Sequence, residues 1–171
     1  MSKYYLAYGS NLSVAQMAQR CPDAVYVGTA VLTDYRLLFK GSQSGSYLTV
    51  EPKKGYTVPL LVWKISERDD SWLDRYERYP DFYEKKTITV EMHSLVDGEK
   101  ITKVDALIYI MQGKRKLGCP RQRYFDICLE GYHRFGFDDR ILKQAVADSA
   151  DAWQADKFMK GADGYDAIYN H

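Results

Sequence analysis

Two short stretches of this chain carry residue types that could move protons and hold developing negative charge: Gly9-Ser10-Asn11 near the start, and the carboxylate of Glu77. A glycine leaving a strand lets the backbone approach a ligand, and the amides after it, unpaired at a strand-helix junction, form a small nest for an anion or oxyanion. Gly-Ser-Asn is also the composition of an ordinary tight turn, so these residues alone leave both readings open. Glu77 lies at the edge of an apolar arc that a helical projection draws through Trp72, Leu73, Tyr76 and Tyr79, with Asp74, Arg75 and Arg78 opposite. Partial burial there disfavours the charged form and raises a carboxyl pKa, which suits a general base and acid near neutrality. The other reading is a rim glutamate paired to a nearby arginine.

Fifteen tyrosines, among them Tyr8, Tyr83, Tyr109 and Tyr124, offer rings for a core or hydroxyls for a polar pocket. A basic stretch, Lys114-Arg115-Lys116 with Arg121 and Arg123, could meet phosphates or an acidic substrate, or simply be a solvated loop. Without interleaved aromatics or an overall basic balance it supports nucleic-acid binding poorly. The three cysteines, Cys21, Cys119 and Cys128, include no close pair, and His93, His133 and His171 are scattered. Neither a disulfide framework nor a metal site is expected.

The elements that must position these groups follow from pattern. Lys3 to Tyr8 reads as a short strand, and Ser13 caps a helix from Val14 to about Arg20, before Pro22. Val25 to Leu32 and Tyr35 to Phe39 are strands, Gly41 to Ser46 a polar loop, and Tyr47 to Glu51 and Thr57 to Ile65 are strands about a Lys53-Lys54-Gly55 turn. Leu60-Leu61-Val62-Trp63 is apolar enough for a strand buried on both faces. Ser66-Glu67-Arg68-Asp69 resembles a capping box and opens a helix that must stop by Pro80. Thr87 to Val90 and Val104 to Met111 are strands, with a hairpin signal at Asp97-Gly98. Pro120 suits a first helical position, with Tyr124, Cys128, Leu129 and Tyr132 on one face, and Asp138 or Asp139 caps a helix from Arg140 to Ala147. Asp151 to His171 has no clear period and is open between helix, arm and tail.

At 171 residues the chain is long enough to bury one core without staples, and a single domain over residues 1–171 is expected. The strand count and intermittent helices predict an α+β fold: a small mixed, barrel-like sheet of about six strands flanked by helices. Lys plus Arg number 24 against 23 Asp plus Glu, so no global field favours nucleic acid or an anionic membrane, and neither is expected as a partner. No apolar run approaches signal-peptide or membrane-span length, which predicts a cytoplasmic protein.

Together, Tyr5-Leu6-Ala7-Tyr8-Gly9-Ser10-Asn11-Leu12 and Leu73-Asp74-Arg75-Tyr76-Glu77 resemble the γ-glutamylcyclotransferase family, including its plant AIG2-like relatives. The resemblance runs over about residues 4 to 136, with Tyr83, Tyr109 and Tyr124 standing where the family has pocket tyrosines. It implies a cyclisation of a γ-glutamyl amine or γ-glutamyl amino acid to 5-oxoproline and the free amine, with Glu77 as catalytic acid/base. It also implies that Ala7, Tyr8, Gly9, Ser10, Asn11, Leu12, Tyr83, Tyr109 and Tyr124 bind substrate. Asn11 looks more like the γ-glutamyl-amino-acid and antibiotic-biosynthetic branches than the glutathione-specific one. No cofactor or metal is implied, because both reacting groups are in one molecule; the partner is a small molecule, and the protein is a monomer or homodimer. A binding or regulatory module on the same fold, without turnover, is the alternative.

Overall fold

Strand β1 (Lys3–Ala7) sits where the chain's longest apolar stretch can cover it, between the antiparallel β3 (Gly45–Ile65) and the parallel β5 (Ile101–Met111). The computed structural model describes residues 2–42 and 45–169. Its sheet runs β3-β1-β5-β4-β2-β6, where β2 is Val25–Ser42, β4 is Tyr83–Ser94 and β6 is Lys116–Leu117. A further β2–β3 pairing closes the first five strands into a barrel, with β6 outside the ring. The expected mixed, barrel-like α+β sheet is therefore present, and its closure removes edges that would otherwise be open to association.

Closure depends on one narrow contact. β2 meets β4 only through Gly28↔Ser94 and Thr29↔His93, next to a register shift at Tyr26/Gly28. A β-carbon on Gly28 would stand 2.7 Å from the His93 carbonyl oxygen and 2.4 Å from Met92 Cγ. Glycine is what lets the strands touch there.

The strand pairs read from sequence as separate pieces are continuous. Val25 to Leu32 and Tyr35 to Phe39 belong to one strand, as do Tyr47 to Glu51 and Thr57 to Ile65. The Lys53-Lys54-Gly55 segment is not a turn between strands but an insertion within the pair: Thr33 faces Thr57 and Tyr35 faces Pro52. Asp34, at φ 61°, reaches across it and accepts the Gly55 amide at 2.9 Å. The loop expected over Gly41 to Ser46 is shorter, with β2 continuing to Ser42 and β3 starting at Gly45; residues 43 and 44 lie outside the described residues.

Helices flank the barrel. α1 (Val14–Arg20) is capped by Ser13, whose side chain accepts from the Gln16 amide, and α2 (Glu67–Tyr76) opens on a reciprocal Ser66/Asp69 capping box. α3 (Gln122–Arg134) begins two residues after Pro120, with Arg121 as its N-cap, so proline is not its first residue. Its Phe125, Cys128, Leu129 and Tyr132 are buried. α4 (Asp139–Ser149) is capped by Asp138, and the segment left open by sequence forms α5 (Ala152–Tyr169). No helix among the described residues is long and apolar enough to cross a membrane.

Candidate active site

β1 ends at Ala7, and the chain then folds into a short 3-10 turn over Ser10–Leu12 before α1. In this turn Leu12 N–H donates to the Gly9 carbonyl and Ser13 N–H to that of Ser10, both at 3.0 Å. The amides of Ser10 and Asn11 precede those bonds and find no acceptor among the described residues. The nest is therefore narrower than the sequence implied, because the Leu12 donor is already used. Trp63 Nε1 fixes the loop from below by donating to the Asn11 carbonyl at 3.0 Å.

The Asn11 side chain is buried and held at both its nitrogen and its oxygen. Its amide donates to the Tyr5 hydroxyl at 3.0 Å, and its Oδ1 accepts from Arg20 Nη1 at 2.6 Å. Arg20 in turn lies 3.6 Å over the centroid of the Tyr76 ring, whose hydroxyl is 3.3 Å from Ser10 Oγ. These contacts tie the end of α2 to the loop.

Glu77 is the C-cap of α2, its amide bonded to the Leu73 carbonyl at 2.8 Å. It is half-buried, and among the described residues its carboxylate has neither an ion-pair nor a hydrogen-bond partner, so the rim-salt-bridge reading does not hold. Burial pushes its pKa up from 4.5 to about 7, with the Arg20 charge pulling the other way. Helix projection misplaces some of its neighbours: the helix ends at Tyr76, and Trp72 and Tyr79 are exposed rather than packed inward.

Glu77 faces the loop across one cavity of about 340 Å³, lined also by Tyr8, Gly9, Ser10, Asn11, Tyr83, Tyr109 and Tyr124. Tyr8 donates to the Tyr109 carbonyl, Tyr83 to that of Leu48 at 2.9 Å, and Tyr124 accepts the Leu48 amide at 3.1 Å. Burial raises the pKa of Tyr5, Tyr8, Tyr83 and Tyr124, so these hydroxyls stay neutral. Tyr109 is anchored outward, its hydroxyl donating at 2.6 Å to Asp74, which shares Lys85 with Asp70. The cavity can thus present a poised carboxylate, free amides and neutral hydroxyls to one small molecule. Among the described residues no group of three His, Cys, Asp or Glu is placed to hold a metal ion.

The family described as "Gamma-glutamyl cyclotransferase, AIG2-like" matches residues 5–127. The chain belongs to that family. The bovine gamma-glutamylcyclotransferase is 33% identical over 106 residues, 57% of this chain and 55% of the relative. The human one is 34% identical over 80 residues, 43% of each. The matches thus span about half the length of these curated relatives or less. A solved structure named gamma-glutamyl cyclotransferase shares the fold, with TM-score 0.72 and 23% identity over 94% of this chain and 99% of that one.

Of the residues that resemblance to the cyclotransferase family singles out, two do not reach the cavity. Ala7 and Leu12 are enclosed in the core, at 1% and 0% exposure, Leu12 filling the space where a Gly131 side chain would stand. Sequence reasoning missed Tyr5, Tyr47, Leu48, Tyr76, Arg78 and Phe82, which line it as well. Tyr5 lies on β1 three residues before Tyr8, which is past the strand's end, and strand alternation does not link an odd spacing to one face. Tyr47 and Leu48 arrive from β3 through barrel closure, which no local pattern encodes.

Gly9 is held by space. A β-carbon there would lie 3.2 Å from the Tyr124 hydroxyl and 3.6 Å from Leu48. Gly9→Ala should displace that hydroxyl by a few tenths of an ångström and lower stability by about 1 kcal/mol, measured by urea denaturation.

Proposed function

We propose that this protein is a γ-glutamyl cyclotransferase that releases 5-oxoproline from a γ-glutamyl amide, with Glu77 as the single general base and acid. The observation that carries the proposal is a half-buried carboxylate, its pKa raised by burial to about 7, opposite the Ser10 and Asn11 amides in a tyrosine-walled cavity, with neither the carboxylate nor those amides partnered among the described residues.

The substrate's α-ammonium group carries the nucleophile in masked form. Ionised Glu77 takes one proton from it, and the freed amine attacks the γ-carbonyl, forming a C–N bond and closing a five-membered ring. The oxyanion left on that carbonyl, or the substrate's α-carboxylate, meets the Ser10 and Asn11 amides. The tetrahedral centre collapses by breaking the original amide bond. Glu77, now protonated, hands its proton to the departing nitrogen, then takes the second proton that the ring nitrogen sheds and passes it to the released amine, which leaves as its ammonium form while Glu77 returns to the carboxylate. The products are 5-oxoproline and the free amine.

The energetics suit so spare a site. Correct orientation of an intramolecular attack supplies roughly 7 to 11 kcal/mol, and a positioned acid/base adds about a hundred- to ten-thousandfold. A rigid cavity of this size can hold a γ-glutamyl group folded onto itself, while the tyrosine hydroxyls satisfy its polar atoms without competing for Glu77's proton.

The test is incubation of the protein with a panel of γ-glutamyl amines and γ-glutamyl amino acids, with 5-oxoproline followed by mass spectrometry. Enzymic release from any member is the expected outcome. Binding of panel members without release at any pH from 6 to 9 would leave a ligand-binding module and end the catalytic reading.

A further inference from the structure

The cavity has a charged rim that the proposed chemistry does not use. Arg78 lines the cavity yet is exposed, which places it at the mouth, whereas Tyr5, Tyr8 and Tyr109 on the inner wall are all buried. It follows Glu77 directly, and its φ of 52° turns the chain back on itself. The turn is closed by a 2.9 Å bond from the Phe82 amide to the Arg78 carbonyl. As a result the guanidinium lies 4.3 Å from the centroid of the Phe82 ring, itself a cavity wall.

A second guanidinium, from Arg115, lies 3.9 Å from the same centroid. The Phe82 ring therefore packs against both guanidinium groups. Arg115 belongs to the basic stretch singled out in the sequence, and it is half-buried. Gln112 ties this loop down by its side chain on the Pro80 carbonyl and its amide on that of Phe82, and Arg115 Nη2 reaches the Asp81 carbonyl at 3.4 Å. Arg115 Nε is buried and has no partner among the described residues. Neither arginine has a carboxylate partner among the described residues. Arg78 is thus a cation at the cavity mouth with donor capacity unspent, held against a wall ring that Arg115 supports from outside the lining, and it is suited to an incoming carboxylate.

Resting on the cyclotransferase reading, we propose that Arg78, held against Phe82 at the cavity mouth, is a carboxylate subsite for the leaving half of the substrate, so that the protein prefers γ-glutamyl amino acids to γ-glutamyl amines. The cavity then handles charge at two ends. The α-ammonium sits against Glu77 beside the Ser10 and Asn11 amides, and the leaving group extends to the mouth, where its own carboxylate meets Arg78. Arg20, the other cation nearby, is spent on Asn11 and Tyr76 and does not line the cavity.

The experiment compares γ-glutamyl-L-alanine with γ-glutamylethylamide, which differ only by the leaving-group carboxylate. Wild-type kcat/KM is expected to favour the alanine compound about tenfold, the scale of one charge-assisted hydrogen bond at a partly wet site. Arg78→Gln should bring that ratio close to one, Arg115→Gln should lower it part-way, and Arg78→Lys should restore part of it, because charge returns without the planar fork. A wild-type ratio near one, or a ratio untouched by Arg78→Gln, overturns the subsite. Calorimetric binding of both compounds to the Glu77→Gln protein separates this failure from failure of the catalytic reading. An Arg78-dependent affinity difference without wild-type turnover keeps the subsite and discards the enzyme, and equal affinities discard the subsite.

Discussion

Glu77→Gln is expected to fold as the wild type does and to lose at least a hundredfold in 5-oxoproline release. The amide matches the carboxylate in shape and hydrogen-bonding reach, so the cavity, the α2 C-cap and the surrounding hydroxyls keep their places. What disappears is the ability to accept a proton from an ammonium group, and without that the nucleophile stays masked. A positioned acid/base contributes about a hundred- to ten-thousandfold, and Glu77 is proposed for both transfers, so a loss in the upper part of that range is expected. Measurement is by single-turnover mass spectrometry on whichever substrate the wild type processes fastest. Turnover within tenfold of wild type would remove Glu77 from the chemistry and send the search to another group. Loss of activity through unfolding is distinguishable, because the same substitution removes a buried charge and should make the protein more stable near neutral pH, not less.

That opposition bears on why the site has its form. Glu77 has no guanidinium or ammonium within ion-pair distance among the described residues, although Arg20 and Arg78 are close by. Arg20 is diverted to Asn11 and the Tyr76 ring, and Arg78 is turned onto Phe82. A salt bridge to either would stabilise the charge and return the carboxyl to its ordinary range, where it would be too weak a base. The two neighbouring cations are thus each held by an aromatic ring, and the carboxylate keeps the cost of its burial as basicity.

The local grammar of the fold was legible in the sequence. Ser13 and the Ser66/Asp69 box open their helices as read, because capping depends on residues three apart and on nothing else. The Asp97-Gly98 signal does lie in the connection between β4 and β5, with Gly98 at φ 66°. Closure of the barrel was harder to see. It rests on Gly28 touching β4, and on β2 and β3 running past the 53–56 insertion as one long pair, both products of contacts distant in sequence. The cavity was legible only through family resemblance for Tyr83, Tyr109 and Tyr124. Periodicity failed at its most important residue, since Glu77 caps its helix and wheel geometry does not extend to it. The pairing of Arg78 with Phe82 is likewise set by a left-handed backbone position that no pattern of residue types announces.

The second large effect is on pH, and it is read twice from the same group. The folded-state pKa of Glu77 stands at about 7 against 4.5 for an unperturbed glutamate, because the cavity desolvates its charge. As a general base it must be ionised in the free enzyme, so kcat/KM should climb about tenfold per pH unit below 7 and level off above it. Stability moves in the opposite direction. Below pH 4.5 folded and unfolded chains both carry the proton, and Glu77 has no effect on folding. Between 4.5 and 7 the folded state binds more protons than the unfolded one, so stability falls as pH rises, and above 7 the loss is complete at up to about 3 kcal/mol. Glutamine has no such titration, and subtracting it cancels the pH dependence of the paired aspartates. The Tm difference between Glu77→Gln and wild type should therefore be near zero at pH 4 and widen to roughly 3 to 10 °C in favour of the variant at pH 8. A constant difference from pH 4 to 8, together with a kcat/KM limb centred below pH 5, would mean that the carboxyl is solvated as on an open surface. The cavity would then have no means of making it a base.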